Sequence, residues 1–220
     1  MFAFETIFEN SFETFGAGTV STETQQIARG LRQRDMALLH ALVEQYQYRL
    51  VRYLIYLLGR RDQVDDLVQE TWLRVLERGR SYDGQSPFAP WLFTIARNLA
   101  VDSLRKRRIF SLDSSDADSD SNSDATGAAG ASYAESLALA SAAPSPFEQA
   151  ARTEDARLLS EALGTLPPAV REALVLRFQE ELSLEEIAAI AGASVSTVAS
   201  RIYRGLAALR THMQGAHHAN

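Results

Sequence analysis

The chain has 220 residues, 46% of them hydrophobic, with 28 acids against 22 Lys and Arg and a formal net charge of -6. That length suits one medium domain or two small ones, and no window holds the ~18 uninterrupted apolar residues a membrane span needs. With no Cys there is no disulfide frame or thiolate metal site, and the start MFAFETIFEN lacks the basic head and apolar centre of a secretory signal. A cytoplasmic protein without membrane insertion is expected.

Position changes the meaning of the charge. Eleven of the 28 acids lie in two stretches, 1–28 and 109–151, that contain no Lys or Arg; the rest of the chain sets 17 acids against all 22 cations. Parts of an acidic protein are therefore basic enough to meet nucleic acid.

Residues 1–28 place Phe4, Phe8, Phe12 and Phe15 at helical spacing among acids and small residues. This N-terminal extension reads either as a frayed tail or as a short amphipathic docking helix. Residues 29–110 form the next segment, in which Asp35 to Arg108 reads as wholly helical in character. A helix from Asp35 stops at Gly59; Asp62 is placed to cap the next, which stops at Gly79. The loop SYDGQSP follows, and Ser86-Pro87 opens a third helix whose first turn Pro90 should kink, with regular helix from Trp91. Residues 111–146, rich in Ser, Asp, Ala and Gly, cannot bury enough apolar surface to offset their ordering and read as an acidic, flexible linker. Residues 147–213 are helical again, with EDARLLSEAL ending at Gly164 and Pro167-Pro168 starting a further helix; 214–220 form a tail. No alternating strand pattern appears. The expected fold is all-α: two small helical domains joined by a long disordered linker.

The C-terminal segment carries a helix-turn-helix pattern. Ser183 and Glu186 form a capping box, Leu182 and Ile187 suit a hydrophobic staple, Gly192 suits a left-handed turn, and Ser194 caps a long helix. Ala188, Gly192 and Val198 fill the small-contact, turn and core positions. At 100° per residue, Val195, Val198, Ile202, Leu206 and Leu209 form the buried stripe. Ser196, Ser200, Tyr203 and Arg204 gather opposite, with Thr197 at the edge: hydroxyls, a ring and a guanidinium suited to phosphates and base edges in a major groove.

Two features mark the N-terminal domain. The helix after Asp62 buries Val64, Leu67, Val68, Thr71, Trp72 and Val75, leaving Asp66, Gln69 and Glu70 around an outward Leu73. That face is either ordinary wet surface or a contact for a basic helix of another protein. The third helix runs SPFAPWLFTIARNLAVDSLRKRR, rings followed by cations. Exposed rings stack on unpaired bases while arginines follow the backbone; alternatively Phe88, Trp91 and Phe93 are core. Tyr82 lies in the loop, Asn98 has an amide suited to a base edge, and Arg105, Lys106, Arg107 and Arg108 suit phosphates.

The stretches DDLVQETWLRVL, SPFAPWLFTIARNLAVDSLRKRR and LSLEEIAAIAGASVSTVASRIYR, in this order, resemble the extracytoplasmic-function (ECF) sigma factors of bacterial RNA polymerase, a branch of the sigma-70 family. The resemblance implies a sigma-2 bundle over 29–110 and a sigma-4 helix-turn-helix domain over 147–213. It implies core RNA polymerase as partner, with Asp66, Gln69, Glu70 and Leu73 on the beta-prime coiled coil and a further contact to the beta flap. It places Tyr82, Trp91, Arg97, Asn98, Arg105, Arg107 and Arg108 at the -10 element, Tyr82 and Asn98 capturing a flipped base. It places Ser196, Thr197, Ser200, Tyr203 and Arg204 at the -35 element, and it implies an anti-sigma factor. Ala199 stands where many members carry Lys or Arg, and the acidic linker is longer than usual, either a solvated tether or a nucleic-acid mimic.

No enzymatic activity, catalytic residue, metal, cofactor or small-molecule substrate is expected. A recombinase would need a strand-rich catalytic domain with an activated nucleophile, and Asp65, Asp66 and Glu70, which could imitate a nuclease's metal site, read instead as a solvated helix face. A stand-alone helix-turn-helix regulator is the alternative, and it would bind promoter DNA tightly without polymerase.

Overall fold

The computed structural model describes the backbone of residues 22–113 and 146–218, and the side chains of 22–107 and 156–214. The Phe4–Phe15 segment, most of the expected linker and the Arg108 side chain lie outside the described residues. Within them are eight α-helices and no strand. Helices α1 (Thr22–Gln33), α2 (Met36–Leu58), α3 (Val64–Arg78) and α4 (Phe88–Asp113) build the N-terminal domain. Helices α5 (Pro146–Thr165), α6 (Pro168–Phe178), α7 (Leu184–Ala191) and α8 (Val195–His218) build the C-terminal one.

Local chemistry sets the ends of these helices. The Asp35 carboxylate accepts from the N–H groups of Ala37 and Leu38, at 2.9 and 3.2 Å, and so starts α2. Gly59, at φ 71°, ends it and donates its own N–H to the Ile55 carbonyl. The expected cap at Asp62 does not form: Gln63 occupies the cap position, and Asp62 pairs instead with Arg60 at 3.3 Å. Gly79 ends α3 as expected, though not through a left-handed turn. It is right-handed and leads into a 3-10 turn over Gly79–Ser81; a Cβ there would stand 3.1 Å from Leu31 Cβ, so the glycine serves close packing on α1. Pro90 introduces no break, because α4 already runs from Phe88 and a first-turn proline has no intrahelical N–H bond to lose.

The packed body also exceeds the expected boundaries. α1 begins at Thr22 and buries Ile27, Ala28 and Leu31, so the N-terminal domain starts ahead of residue 29. α4 continues to Asp113 and α8 to His218, past the expected ends at 110 and 213.

The N-terminal core is built from Leu50, Tyr53, Leu54, Val75, Phe88, Leu92 and Phe93, all essentially inaccessible. In the C-terminal domain α8 crosses α6 at Gly205, where a Cβ would sit 2.7 Å from Leu174 Cδ1 and 2.8 Å from Val170 Cγ1. Only a hydrogen fits there, which lets the two helices close over Leu176, Ile187, Val198 and Leu209. Val195 leaves the expected buried stripe: it is 39% exposed, since the first residue of α8 projects ahead of that crossing. The two domains pack directly, α6 on α2 and α7 on α4. Among the described residues no helix is long and apolar enough to cross a membrane.

Candidate nucleic-acid and protein interfaces

The helix-turn-helix forms as the sequence implies. Ser183 Oγ accepts from the Glu186 N–H at 3.2 Å while the Glu186 carboxylate accepts from the Ser183 N–H at 2.8 Å. Gly192 takes φ 61°, and the Ala193 N–H reaches the Ala188 carbonyl at 3.0 Å, closing the turn. Ser194 Oγ accepts from the Thr197 N–H at 3.2 Å and lies 3.0 and 2.7 Å from the Ser196 and Thr197 hydroxyls. Those hydroxyls are thus gathered at the start of α8, where unpaired N–H groups favour a phosphate. Ser196, Ser200 and Arg204 are exposed and Tyr203 is 68% exposed, so the expected face stands open; Thr197 is half-buried. Arg204 Nε donates to the Ser200 carbonyl at 3.3 Å, laying the guanidinium back along the helix.

On α3, Asp66, Gln69, Glu70 and Leu73 follow i, i+3, i+4, i+7 spacing and share one face. Asp66 and Gln69 are exposed, and Leu73 is 53% exposed. Arg74, which sequence reading passed over, lies within this acidic row. Its Nε donates to Glu70 at 2.8 Å and its Nη1 stands 3.5 Å from Glu77. The i, i+4 spacing of Glu70 and Arg74 was the signal available for it.

The ring-and-cation helix departs from expectation. Tyr82 is 1% exposed, and its hydroxyl donates to the Ser86 carbonyl at 2.6 Å. Its ring lies 5.6 Å from Phe88, edge-on, and 5.2 Å from Trp91; Phe88 also meets Tyr46 edge-on at 5.4 Å. Burial pushes the Tyr82 phenol up to about 12. Its ring is therefore core in this conformation and unavailable to a base. Phe88 and Phe93 are core as well, while Trp91 is half-buried against Tyr82 and Phe88. Packing claims these rings because the loop folds back over the start of α4.

The loop is held from the other side by α1. Thr24 Oγ1 donates to the Gly84 carbonyl at 2.8 Å. Gly84 has φ 75°, and a Cβ on it would stand 2.9 Å from the Thr24 carbonyl oxygen. Among the residues left accessible on α4 is a line at seven-residue spacing: the half-buried Trp91, the exposed Asn98 and the exposed Arg105. Arg105 Nη2 lies 4.0 Å from Asp102. Arg107 is exposed near the far end of the helix.

Arg97 lies roughly 100° round the helix from Asn98 and faces the other domain. Its Nε donates to Glu172 at 2.8 Å, so it is not free for DNA here. Glu172 and Glu180, with their partners Arg49, Arg52 and Tyr53, were absent from the sequence reading, because pairs more than seventy residues apart leave no local pattern.

An all-helical body with an exposed acidic face, packed with a helix-turn-helix domain whose second helix is open, defines a DNA-reading factor in two parts. The chain matches the family models Sigma-70 region 2 over residues 42–109 and Sigma-70, region 4 over 156–209. It is 30% identical over 181 residues to the ECF RNA polymerase sigma factor SigX of Bacillus subtilis, covering 79% of this chain and 82% of that one. It is 38% identical over 154 residues to the ECF RNA polymerase sigma factor EcfG of Rhodopseudomonas palustris, covering 69% and 72%. Among solved structures, the sigma factor RpoE of Bartonella quintana, in complex with the anti-sigma factor NepR, superposes with a TM-score of 0.59 at 25% identity, covering 80% of this chain and 96% of that one. The chain belongs to the ECF sigma factor family.

Proposed function

We propose that this sigma factor divides promoter recognition between its two domains. The observation that carries this reading is the pairing, on one chain, of a region 2 body with a helix-turn-helix whose recognition face is open. Asp66, Gln69, Glu70 and Leu73 dock on the beta-prime coiled coil of core RNA polymerase, and the C-terminal domain meets the beta flap. Ser196, Thr197, Ser200, Tyr203 and Arg204 enter the major groove of the -35 element. Trp91, Asn98 and Arg105, with Arg107 and Arg108 further along α4, follow the separated -10 strand. Tyr82 acts from beneath, fixing the loop instead of stacking on the base. Arg97 joins the DNA contacts only once Glu172 releases it.

Flipping one base costs a few kcal/mol, and stacking of about 1–3 kcal/mol per base is the right size to offset it. The protein works by binding, with no covalent chemistry of its own, in the cytoplasm. By analogy with the RpoE–NepR complex, an anti-sigma factor is a partner. The test is transcription in vitro with core polymerase, with transcript starts sequenced to give both promoter elements. A tight footprint by the protein alone, unchanged by polymerase, would favour a stand-alone regulator.

Two substitutions separate the elements. Arg204→Ala is expected to weaken use of the matching -35 sequence about 10-fold or more, since a base-reading guanidinium contributes about 1–3 kcal/mol. A variant that keeps the parent's ratio of activity on matched over scrambled -35 sequences removes Arg204 from the readout. Asn98→Ala is expected to leave polymerase binding intact while slowing strand opening, followed by permanganate reactivity of unpaired thymines. Parallel loss of both properties would instead make Asn98 structural.

A further inference from the structure

Between α1 and the SYDGQSP loop lies a cleft of about 420 Å³, lined among others by Gln25, Arg29 and Arg32 from the helix and by Asp83 and Gln85 from the loop. Gln25, Arg29 and Arg32 stand at i, i+4 and i+7, so one face of α1 delivers them together. Among the described residues neither guanidinium has a hydrogen-bond or ion-pair partner. Both walls are fixed. α1 is anchored by the buried Ile27, Ala28 and Leu31, and the loop by the Thr24 hydroxyl on the Gly84 carbonyl at 2.8 Å. Asp83 Oδ1 accepts from the Gln85 N–H at 2.9 Å, which sets the carboxylate and leaves Oδ2 for a ligand.

Size, charge and chemistry narrow the occupant. The volume is at the small end of the ~300–1,000 Å³ typical of ligand clefts, room for one small molecule or one residue of a chain. Two guanidiniums against one carboxylate leave an excess of one positive charge, which a single phosphodiester balances. Guanidinium forks suit the paired oxygens of a phosphate. A carboxylate only accepts hydrogen bonds, so it selects a base that presents an amino group: cytosine, adenine or guanine, and not thymine. The place agrees with the chemistry. Asp83 follows directly on Tyr82, whose ring lies 5.2 Å from Trp91, so the cleft and the accessible line of α4 flank one loop.

We propose that this cleft binds one nucleotide, with its phosphate on Arg29 and Arg32 and the amino group of its base on Asp83. The same chemistry is offered by a residue of an unpaired DNA strand and by a free nucleoside phosphate. A promoter strand as the source rests on the sigma-factor reading above; the cleft itself does not. The probe is a short dye-labelled single strand of deoxycytidines, followed by fluorescence anisotropy with the full-length protein. Arg29→Gln/Arg32→Gln is expected to weaken its binding about 10-fold and to lower the slope of log affinity against log salt by roughly 0.7, the share of one phosphate. Arg34→Gln/Arg210→Gln removes the same charge from exposed positions outside the cleft and should change affinity less than about three-fold. The parent should prefer the deoxycytidine strand to a thymidine one about 3–10-fold, and Asp83→Asn should erase that preference.

Equal affinity and salt slope in the parent and the Arg29→Gln/Arg32→Gln protein, or equal losses in that protein and the control, overturn the cleft as a phosphate site. A parent indifferent to the two strands overturns the role of Asp83. Deoxycytidine monophosphate that displaces the strand from the parent identifies a free nucleotide as the occupant; a strand that it does not displace identifies DNA. If strand binding falls as expected but neither protein starts transcription with core polymerase, the cleft stands and the sigma-factor reading fails. Transcription by both proteins at equal strand affinity does the reverse.

Discussion

Tyr82→Ala is expected to destabilise the N-terminal domain by about 3–5 kcal/mol, the range for deleting a buried aromatic side chain. The ring fills the space between Phe88 and Trp91, so its loss leaves a cavity beneath the loop. Tyr82→Phe keeps the ring and removes only the hydroxyl bond to Ser86, for a loss of about 1 kcal/mol. Urea denaturation of the three proteins measures both values. If Tyr82 instead met the flipped base directly, Tyr82→Ala would abolish promoter opening at unchanged stability, and that outcome would refute the buried role. Alkali gives a second readout. Burial raises the Tyr82 phenol to about 12, above the usual ~10 of an unfolded chain. Below pH 10 both states keep the proton and stability is constant. Between pH 10 and 12 the unfolded chain sheds it while the folded chain holds it, so stability falls by about 2–3 kcal/mol. Tyr82→Phe should remove that part of the alkaline slope and leave the part due to Tyr53, which burial and the Glu172 charge also raise.

Leu73→Ala is expected to weaken binding to core polymerase by about 30-fold, since truncating an anchor at the centre of an interface costs roughly 2 kcal/mol or more. Leu73 is an apolar side chain 53% exposed within an acidic row, and it does no work in the core. Its truncation should therefore leave the melting temperature unchanged. Glu77→Ala, further along the helix beside Arg74, serves as control and should change affinity less than three-fold, the scale of a surface pair. Affinity measured against immobilised core enzyme decides the matter; equal losses in the two variants would move the polymerase contact away from Leu73.

The helix-turn-helix was legible almost atom for atom. Its signals are local: Ser183 with Glu186, Gly192 at the turn and Ser194 before α8 each act within four residues. The face of α3 was legible for the same reason, since helical periodicity alone turns Leu73 outward. Tyr82 and Pro90 misled because composition says which residue interrupts a pattern and not what packs over it. Asp62 failed as a cap through competition with Arg60, a partner that position alone does not rank. The contacts of Glu172 and Glu180 were beyond reach: they depend on where two separately patterned domains meet, and nothing in either segment encodes the other's surface.

The hydroxyl of Thr24 on the Gly84 carbonyl makes the crest of the SYDGQSP loop a dependent of the first helix. Gly84 has no room to grow toward that helix, because the Thr24 carbonyl and the Ala28 methyl already crowd its missing side chain at 2.9 and 3.1 Å. Positions 24, 28 and 84 thus behave as a single mechanical joint, and enlarging any of them displaces the other two. A change engineered at the crest of this loop is therefore answered some sixty residues upstream, at Thr24.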